Sequence, residues 1–213
     1  MIAIVDYGMG NLRSVEKAVQ RVGGRAAISA EPDAVQEADA VILPGVGAFG
    51  DAMQNLRDRQ LVDALVNHIQ SGKPFLGICL GMHLLFEEGQ EMGRHPGLGV
   101  LPGKVVRFPA GGLKVPHVGW NQLQILRPSP LLAGVADGSY TYFVHSYHVV
   151  PEEESVVIAT TDYGLPYASV VGQGNLLGVQ FHPEKSQEIG LRILANFVTI
   201  VSQHVGALSG EGN

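Results

Sequence analysis

Three short segments in the first half of the chain are apolar throughout, and they constrain the fold more than any other feature. They are residues 2–5, 40–43 and 75–78. A strand with one face in water alternates polar and apolar residues, so an unbroken apolar strand indicates burial on both faces. Helical patterns follow these strands at 12–22, from Asp51 to just before Gly72, and at 82–88. Strands of this kind separated by helices predict the α/β class, with a parallel sheet covered on both faces.

The second half of the chain is richer in strand patterns. We predict extended segments at residues 104–108, 140–149, 155–160, 168–171 and 176–181. An amphipathic helix over 187–203 closes the fold. Since neither a repeat nor a linker divides the chain, we predict one domain over 1–205, with a mostly parallel central sheet and extra antiparallel strands. A flexible tail is expected over 206–213.

Composition limits the partners and surroundings that suit this chain. It has 213 residues and a formal net charge of -6, which argues against nucleic acid or an anionic membrane as partner. No apolar run is long enough to span a bilayer, and we expect no signal peptide. A single cysteine excludes an internal disulfide and fits a reducing cytoplasm. We predict no metal site, because His145 and His148 of one strand pattern would point to opposite faces.

The single cysteine, Cys79, stands where an apolar strand meets a helical pattern, in the segment Gly77-Ile78-Cys79-Leu80-Gly81. Glycines two residues to either side indicate a sharply bent backbone, which is how a nucleophile is presented at a strand-to-helix turn. The positive end of the following helix would favour the reactive thiolate. A small core residue is the alternative interpretation, and the flanking glycines favour the nucleophile.

One of the histidines, His182, ends an apolar run and is followed by Pro183 and Glu184. The proline biases His182 toward an extended conformation, in which residues two apart point to the same side. Glu184 can then hold the imidazole ring as the third member of a catalytic triad does. The alternative is a surface turn with a solvated acid.

A glycine-rich segment, Pro44-Gly45-Val46-Gly47, follows the second apolar strand. Acyl transfer needs hydrogen-bond donors for the oxyanion of its tetrahedral intermediate. The backbone N–H groups of Gly45, Val46 and Gly47, together with that of Leu80 beside the cysteine, are the candidate donors. Their place at the carboxyl end of a parallel strand supports this hypothesis.

Together, the elbow around Cys79 and the segment 180–184 resemble the class I glutamine amidotransferases, which are built on a Cys-His-Glu triad. The resemblance implies a flavodoxin-like fold, L-glutamine as the substrate and no cofactor. It implies that Cys79 attacks the side-chain amide of glutamine. His182 would protonate the departing ammonia and activate water, and Glu184 would orient His182.

Within that family, the chain resembles the glutaminase subunits of imidazole glycerol phosphate synthases, which serve histidine biosynthesis. The matching segments are residues 6–12, 43–49, 117–121, 143–147 and 183–186. The resemblance implies a heterodimer with a barrel-shaped synthase (cyclase) subunit. That subunit receives the ammonia and makes imidazole glycerol phosphate and aminoimidazole carboxamide ribotide. Asn11, Trp120 and Lys185 match positions at or near the interface.

The same resemblance implies the contacts of the substrate. Gly47, Ser146 and Tyr147 match the glutamine pocket, and the loop 45–47 matches an oxyanion strand that becomes productive only when the loaded partner is bound. His83 departs from the pattern, because the family usually has a glutamine there that contacts the substrate. An imidazole that titrates near neutral pH at this position would make glutamine affinity depend on pH.

Other functions stay open at this point. A cysteine peptidase or another hydrolase of similar architecture would use the Cys79 elbow and a histidine without a partner. A binding module with Cys79 as a redox sensor would form a stable sulfenic acid or mixed disulfide instead of a thioester. The glutaminase subunit of another amidotransferase is a further alternative. Ammonia release from glutamine, peptide cleavage and the identity of a co-purifying chain distinguish these functions.

Overall fold

The structure is a computed structural model that describes residues 1–110 and 113–210. Its α-helices are α1 (Leu12–Arg21), α2 (Pro32–Glu37), α3 (Phe49–Asp58), α4 (Leu61–Gln70), α5 (Leu80–His83) and α6 (Gln187–Gly210). Its strands are β1 (Ile2–Val5), β2 (Ala26–Ser29), β3 (Ala40–Gly45), β4 (Phe75–Cys79), β5 (Phe86–Gly89), β6 (His95–Pro96), β7 (Leu101–Arg107), β8 (His117–Gln122), β9 (Gln124–Ile125), β10 (Tyr140–His145), β11 (Tyr147–Pro151), β12 (Val157–Asp162), β13 (Pro166–Gln173) and β14 (Leu176–Val179). Turns of 3₁₀ helix lie at Pro130–Leu132, Glu154–Val156 and Pro183–Lys185.

An eight-stranded sheet forms the centre of the fold, in the order β2-β1-β3-β4-β14-β13-β12-β9. Neighbouring strands from β2 to β14 are parallel. The pairs that follow, β14 with β13, β13 with β12 and β12 with β9, are antiparallel. Smaller sheets have the orders β10-β8 and β11-β7-β5-β6. The predicted α/β class, with a mostly parallel sheet and extra antiparallel strands from the second half, is confirmed.

Successive residues of a central strand face two different hydrophobic layers. In β1, Ile2 and Ile4 pack into a layer with α1 and α6, whereas Ala3 and Val5 pack into a layer with α3 and α4. All four side chains are buried. Burying one large aliphatic side chain contributes about 1.5–3 kcal/mol. This two-sided burial is the reason that the strand is apolar throughout.

The helix predicted over 82–88 is wrong. The helix α5 ends at His83, and the chain continues as strand β5. Phe86 of β5 lies opposite Leu101 of β7, and both side chains are fully buried. Pairing with a strand distant in sequence therefore outweighs the local helical pattern.

Two other helices also differ from the prediction. The single helix expected after Asp51 is divided into α3 and α4 at Gln60, which has a left-handed backbone with φ 59°. The last helix ends at Gly210 rather than at Gln203, so the segment expected as a tail begins as helix. Residues 211–213 lie outside the described residues, and the flexibility of the tail stays a prediction.

The carboxyl ends of the parallel strands β1, β3 and β4 lie at one edge of the sheet. Parallel α/β sheets bind their ligands at this edge. Within the described ranges, no helix combines the length and apolar character needed to cross a membrane. The same residues contain no group of three or more His, Cys, Asp or Glu side chains suited to a metal ion.

Candidate active site

Cys79 carries the sharp bend between β4 and α5 in its own backbone. Its φ is 54° and its ψ is -111°, a conformation that residues with a Cβ rarely adopt. The flanking glycines serve close packing instead, since a Cβ on Gly77 would lie 2.7 Å from the Gly81 carbonyl oxygen and one on Gly81 would overlap the carbonyl of Leu43. Close packing at Gly77 and Gly81 thus holds the strained backbone of Cys79, which presents the sulfur at the end of β4.

His182 and Glu184 are in direct contact. His182 Nδ1 lies 2.9 Å from Glu184 Oε1, and both side chains are buried. Because a carboxylate accepts, Nδ1 donates and Nε2 is left for the reaction. His182 is extended, as expected, with φ -99° and ψ 99°, and the chain then enters a 3₁₀ turn over Pro183–Lys185 that places both side chains together. The Ser186 hydroxyl donates to the His182 carbonyl at 2.7 Å and helps to fix the turn.

The glycine-rich loop after β3 begins beside the cysteine. Gly45 is paired with Cys79 in the parallel register of β3 and β4. Gly47 has a φ of 108°, which favours glycine, and the Val46 side chain between them is 45% exposed. The peptide groups of this loop therefore lie next to the nucleophile, without bulky side chains on the glycines to cover them.

A cavity of about 290 Å³ opens on the Cys79 side chain. The residues of the sequence-based hypothesis that line it are Val46, Gly47, Cys79, Leu80, His83, Ser146 and Tyr147. Gly45 is not among the lining residues and lies at the base of the loop. A small cavity with a few polar groups around a nucleophile suits a small polar substrate.

The sequence profile of the family described as glutamine amidotransferase class-I matches residues 3–201. The chain belongs to the class-I glutamine amidotransferases. Two relatives carry the same name, imidazole glycerol phosphate synthase subunit HisH. The protein from Syntrophotalea carbinolica is 54% identical over 92% of this chain and 98% of its own length. The protein from Aquifex aeolicus is 54% identical over 91% of this chain and 94% of its own. These identities place this amidotransferase among the HisH subunits.

Solved structures share the fold of this amidotransferase. A glutamine amidotransferase has a TM-score of 0.74 at 22% identity, covering 95% of this chain and 100% of that one. PurLQS from Thermotoga maritima has a TM-score of 0.73 at 18% identity, covering 96% of this chain and 98% of that one. At such identities the likeness concerns the fold alone.

The electrostatics of the amidotransferase site favour a charged His182. Burial by itself lowers the pKa of His182, but its interactions with Cys79 and Glu184 outweigh burial and raise the pKa to about 10. His182 Nε2 is buried and makes no aligned hydrogen bond among the described residues. An imidazolium beside Cys79 stabilises the thiolate, which is the attacking form.

His83 lines the cavity and also contacts Gln180 behind the nucleophile. His83 Nε2 lies 2.7 Å from Gln180 Oε1, and Gln180 Nε2 donates to Cys79 Sγ at 3.8 Å. Burial lowers the pKa of His83 to about 4, against the opposing effect of the Gln180 hydrogen bond. With this pKa the His83 ring is neutral near pH 7, so the condition under which it would make glutamine affinity depend on pH is not met.

The structure adds residues to the cavity that the sequence did not assign to a substrate site, namely Glu91, Pro116, Val144 and His145. Glu91 is the acidic one, and its carboxylate accepts the backbone N–H of Phe49 at 2.8 Å. Its segment is rich in glycine and charge, so nothing local distinguishes it from a solvated acid. Gln180 was part of the quoted histidine motif, but its approach to the sulfur required the fold.

The expectation that His145 and His148 face opposite sides is wrong. They belong to separate strands, β10 and β11, and both rings lie against Phe108, with centroid distances of 5.3 and 4.7 Å. The strand pattern breaks between them at Ser146, which lines the cavity. The two-residue alternation within one strand therefore does not apply across this break.

The three residues expected at a subunit interface are all exposed. Trp120 is 46% exposed and packs edge-on against Tyr142, and Lys185 follows the histidine in the 3₁₀ turn. Asn11 occupies the N-cap of α1 without making a side-chain capping bond. It directly follows Gly10, which approaches the start of the loop 45–47 at Gly45. The His182 N–H donates to the Tyr142 carbonyl oxygen at 3.0 Å, so Trp120 and Lys185 adjoin the histidine turn, and Asn11 adjoins the loop 45–47.

Proposed function

We propose that this chain is the glutaminase subunit of an imidazole glycerol phosphate synthase and hydrolyses L-glutamine to glutamate and ammonia. The observation that carries the proposal is the strained Cys79 elbow opening on a small cavity beside the His182–Glu184 pair. The HisH relatives, at 54% identity over nearly the whole chain, support the same assignment.

The chemistry requires two acyl-transfer steps. The Cys79 thiolate attacks the amide carbon of glutamine, and the oxyanion that forms is held by N–H groups of the loop 45–47 and of Leu80. The protonated His182 gives its proton to the amide nitrogen, the C–N bond breaks, and ammonia leaves a glutamyl thioester. His182 then takes a proton from water, and the resulting hydroxide displaces the thiolate and releases glutamate. Glu184 stabilises the imidazolium in both steps.

Glutamine would lie in the cavity with its side-chain amide toward Cys79. The Glu91 carboxylate offers an ion pair to the α-ammonium group. The segment Ser146–Tyr147 offers backbone groups to the α-carboxylate, while Gly47 and His83 form the remaining wall. Because Glu91 would accept from the α-ammonium group and the Ser146–Tyr147 backbone would donate to the α-carboxylate, the cavity would exclude substrates that lack these free groups.

The ammonia would pass to a barrel-shaped synthase (cyclase) subunit in a heterodimer. That subunit would make imidazole glycerol phosphate and aminoimidazole carboxamide ribotide. Asn11, Trp120 and Lys185 would contact it, because all three are exposed beside the site. A cytoplasmic location would keep Cys79 reduced. Neither nucleic acid nor a membrane is proposed as a partner, in keeping with the net charge of -6.

The proposal is tested with the chain assembled on its cognate synthase subunit. Wild-type complex should make product from either glutamine or added ammonium. Cys79→Ala should abolish glutamine-dependent synthesis and spare ammonium-dependent synthesis, because only the first uses the thiol. Equal loss of both activities, or cleavage of peptides by the wild-type chain, would contradict the proposal.

A further inference from the structure

Behind the cavity lies a buried cluster of histidine and aromatic rings that the proposed mechanism does not use. His117 of β8 lies opposite His145 of β10 in the antiparallel pair, and His117 Nδ1 is 3.1 Å from His145 Nε2. The Tyr167 hydroxyl is 3.3 Å from each of these nitrogens. The His117 ring stacks on Tyr163 and Phe143, with centroid distances of 3.9 and 5.0 Å. These contacts hold His117 in one orientation.

The hydrogen bonds of this cluster have a defined direction. His145 Nδ1 is 2.8 Å from the Tyr147 carbonyl oxygen, and since a carbonyl only accepts, Nδ1 carries the proton. Burial lowers the pKa of His145 well below its ordinary value, although the bond to Tyr147 opposes it, so the ring is neutral and its Nε2 accepts. Two facing lone pairs would repel, so His117 Nδ1 donates to it. His117 Nε2 then accepts from Asn121 Nδ2 at 3.4 Å.

This series of bonds ends at the wall of the cavity. His145, Ser146 and Tyr147 all line it, whereas His117 is not among the lining residues. We propose that His117 is a positioning residue for glutamine binding, which acts through His145 to fix the Tyr147 carbonyl and with it the backbone of Ser146–Tyr147. The inference rests on the proposed function and adds a residue that does not touch the substrate.

The test compares two amide substitutions of His117 in the complex with the synthase subunit. In His117→Asn the amide nitrogen lies near the former Nδ1 and still donates to His145. In His117→Gln it reaches the former Nε2 instead, and His145 loses this donor. We expect the KM for glutamine to rise about tenfold in His117→Gln, the worth of one buried hydrogen bond. His117→Asn should stay within about twofold of wild type, and kcat should change little in both.

His148→Gln is the matched control. His148 belongs to the same cluster, with its ring 4.7 Å from that of Phe108, and its Nδ1 is 3.2 Å from the Val149 carbonyl oxygen. The substitution removes a bond of the same kind that does not lead to Ser146–Tyr147. We therefore expect a lower melting temperature with an unchanged KM. Synthesis from added ammonium should be unaffected in every variant, because it bypasses the glutamine cavity.

An unchanged KM in His117→Gln, or an equal rise in His148→Gln, would overturn the inference. If His117→Gln does not fold, the same comparison applies at His145. There asparagine keeps the donor to Tyr147 and glutamine removes it, so equal KM values for the two variants would overturn the inference as well. A wild-type complex that releases no glutamate from glutamine would refute the proposed glutaminase function. Failure of the His117 inference alone would leave the activity of the wild-type complex intact.

Discussion

His83 Nε2 lies 2.7 Å from the side-chain oxygen of Gln180, whose amide nitrogen lies 3.8 Å from the sulfur of Cys79. A carboxamide oxygen only accepts, so the neutral His83 ring donates and the Gln180 amide group faces the nucleophile. The histidine that stands in place of the family's usual glutamine is thus held in the core behind the reacting sulfur. Its burial makes the stability of the fold depend on pH.

Acid should destabilise the fold through His83. Burial first, against the Gln180 hydrogen bond, lowers its pKa in the folded chain to about 4, below the ordinary value of 6.5. The unfolded chain therefore binds the extra proton, and stability is lost as the pH falls from 6.5 toward 4, by about 1.4 kcal/mol per pH unit. His83→Gln should reduce this loss, measured by urea unfolding near neutral pH and near pH 5. Equal losses in both proteins would contradict the prediction.

The pH dependence of stability has the opposite sign for His182, because its pKa is raised to about 10 in the folded chain. Its contribution to stability is complete below pH 6.5 and is lost as the pH rises toward 10.

Glu184→Gln removes the negative charge that supports the His182 imidazolium. We expect kcat for glutamine hydrolysis to fall by about two to four orders of magnitude, with ammonium-dependent synthesis unchanged. Glu188→Gln, at an exposed acid of α6, should leave both activities intact. Normal hydrolysis by Glu184→Gln would remove Glu184 from the triad.

Close packing at the elbow makes Gly81 sensitive to substitution. A Cβ there would overlap the Leu43 carbonyl oxygen, so we expect Gly81→Ala to lower the free energy of unfolding by about 2 kcal/mol or more. Gly206 of α6 has nothing within 4 Å of its Cβ position. Gly206→Ala should therefore raise stability by about 0.5–1 kcal/mol through helix propensity. Chemical denaturation of both variants measures the contrast, and similar values for the two would contradict the packing argument.

Two buried tyrosines should respond differently to loss of the hydroxyl. Tyr7 is fully buried, and its hydroxyl has no hydrogen-bond partner among the described residues. The Tyr167 hydroxyl instead contacts His117 and His145. We expect Tyr7→Phe to leave the free energy of unfolding unchanged or raise it by about 1 kcal/mol, and Tyr167→Phe to lower it by about as much. A large loss of stability in Tyr7→Phe would show that its hydroxyl is bonded.

The proposed interface predicts a loss of assembly without loss of folding. Lys185→Ala and Trp120→Ala each remove an exposed side chain, and large exposed aromatic residues often contribute most to an interface. We expect each to weaken binding of the synthase subunit by about tenfold or more, measured by titration calorimetry, with melting temperatures unchanged. Lys17→Ala, at an exposed lysine of α1, is the control. Wild-type affinity in both interface variants would place these residues outside the contact.

Local sequence patterns were sufficient to predict a structural feature wherever that feature depended on two-sided burial of a strand or on a short spacing between two residues. The strands β1, β3 and β4 were found because a strand covered on both faces must be apolar throughout. The contact between His182 and Glu184 follows from their two-residue spacing, even though the turn is a 3₁₀ helix. The elbow was expected from its glycines, although Cys79 itself carries the strained backbone with positive φ.

What the sequence by itself determined is the parallel core, the nucleophile at the end of its strand and the paired histidine and glutamate, because each depends on residues that are close together in the sequence. Only the tertiary structure decided that Phe86 belongs to a strand, that Glu91 faces the cavity and that Gln180 approaches the sulfur. Each of these depends on a partner distant along the chain, and the free energy of such contacts is absent from any local pattern.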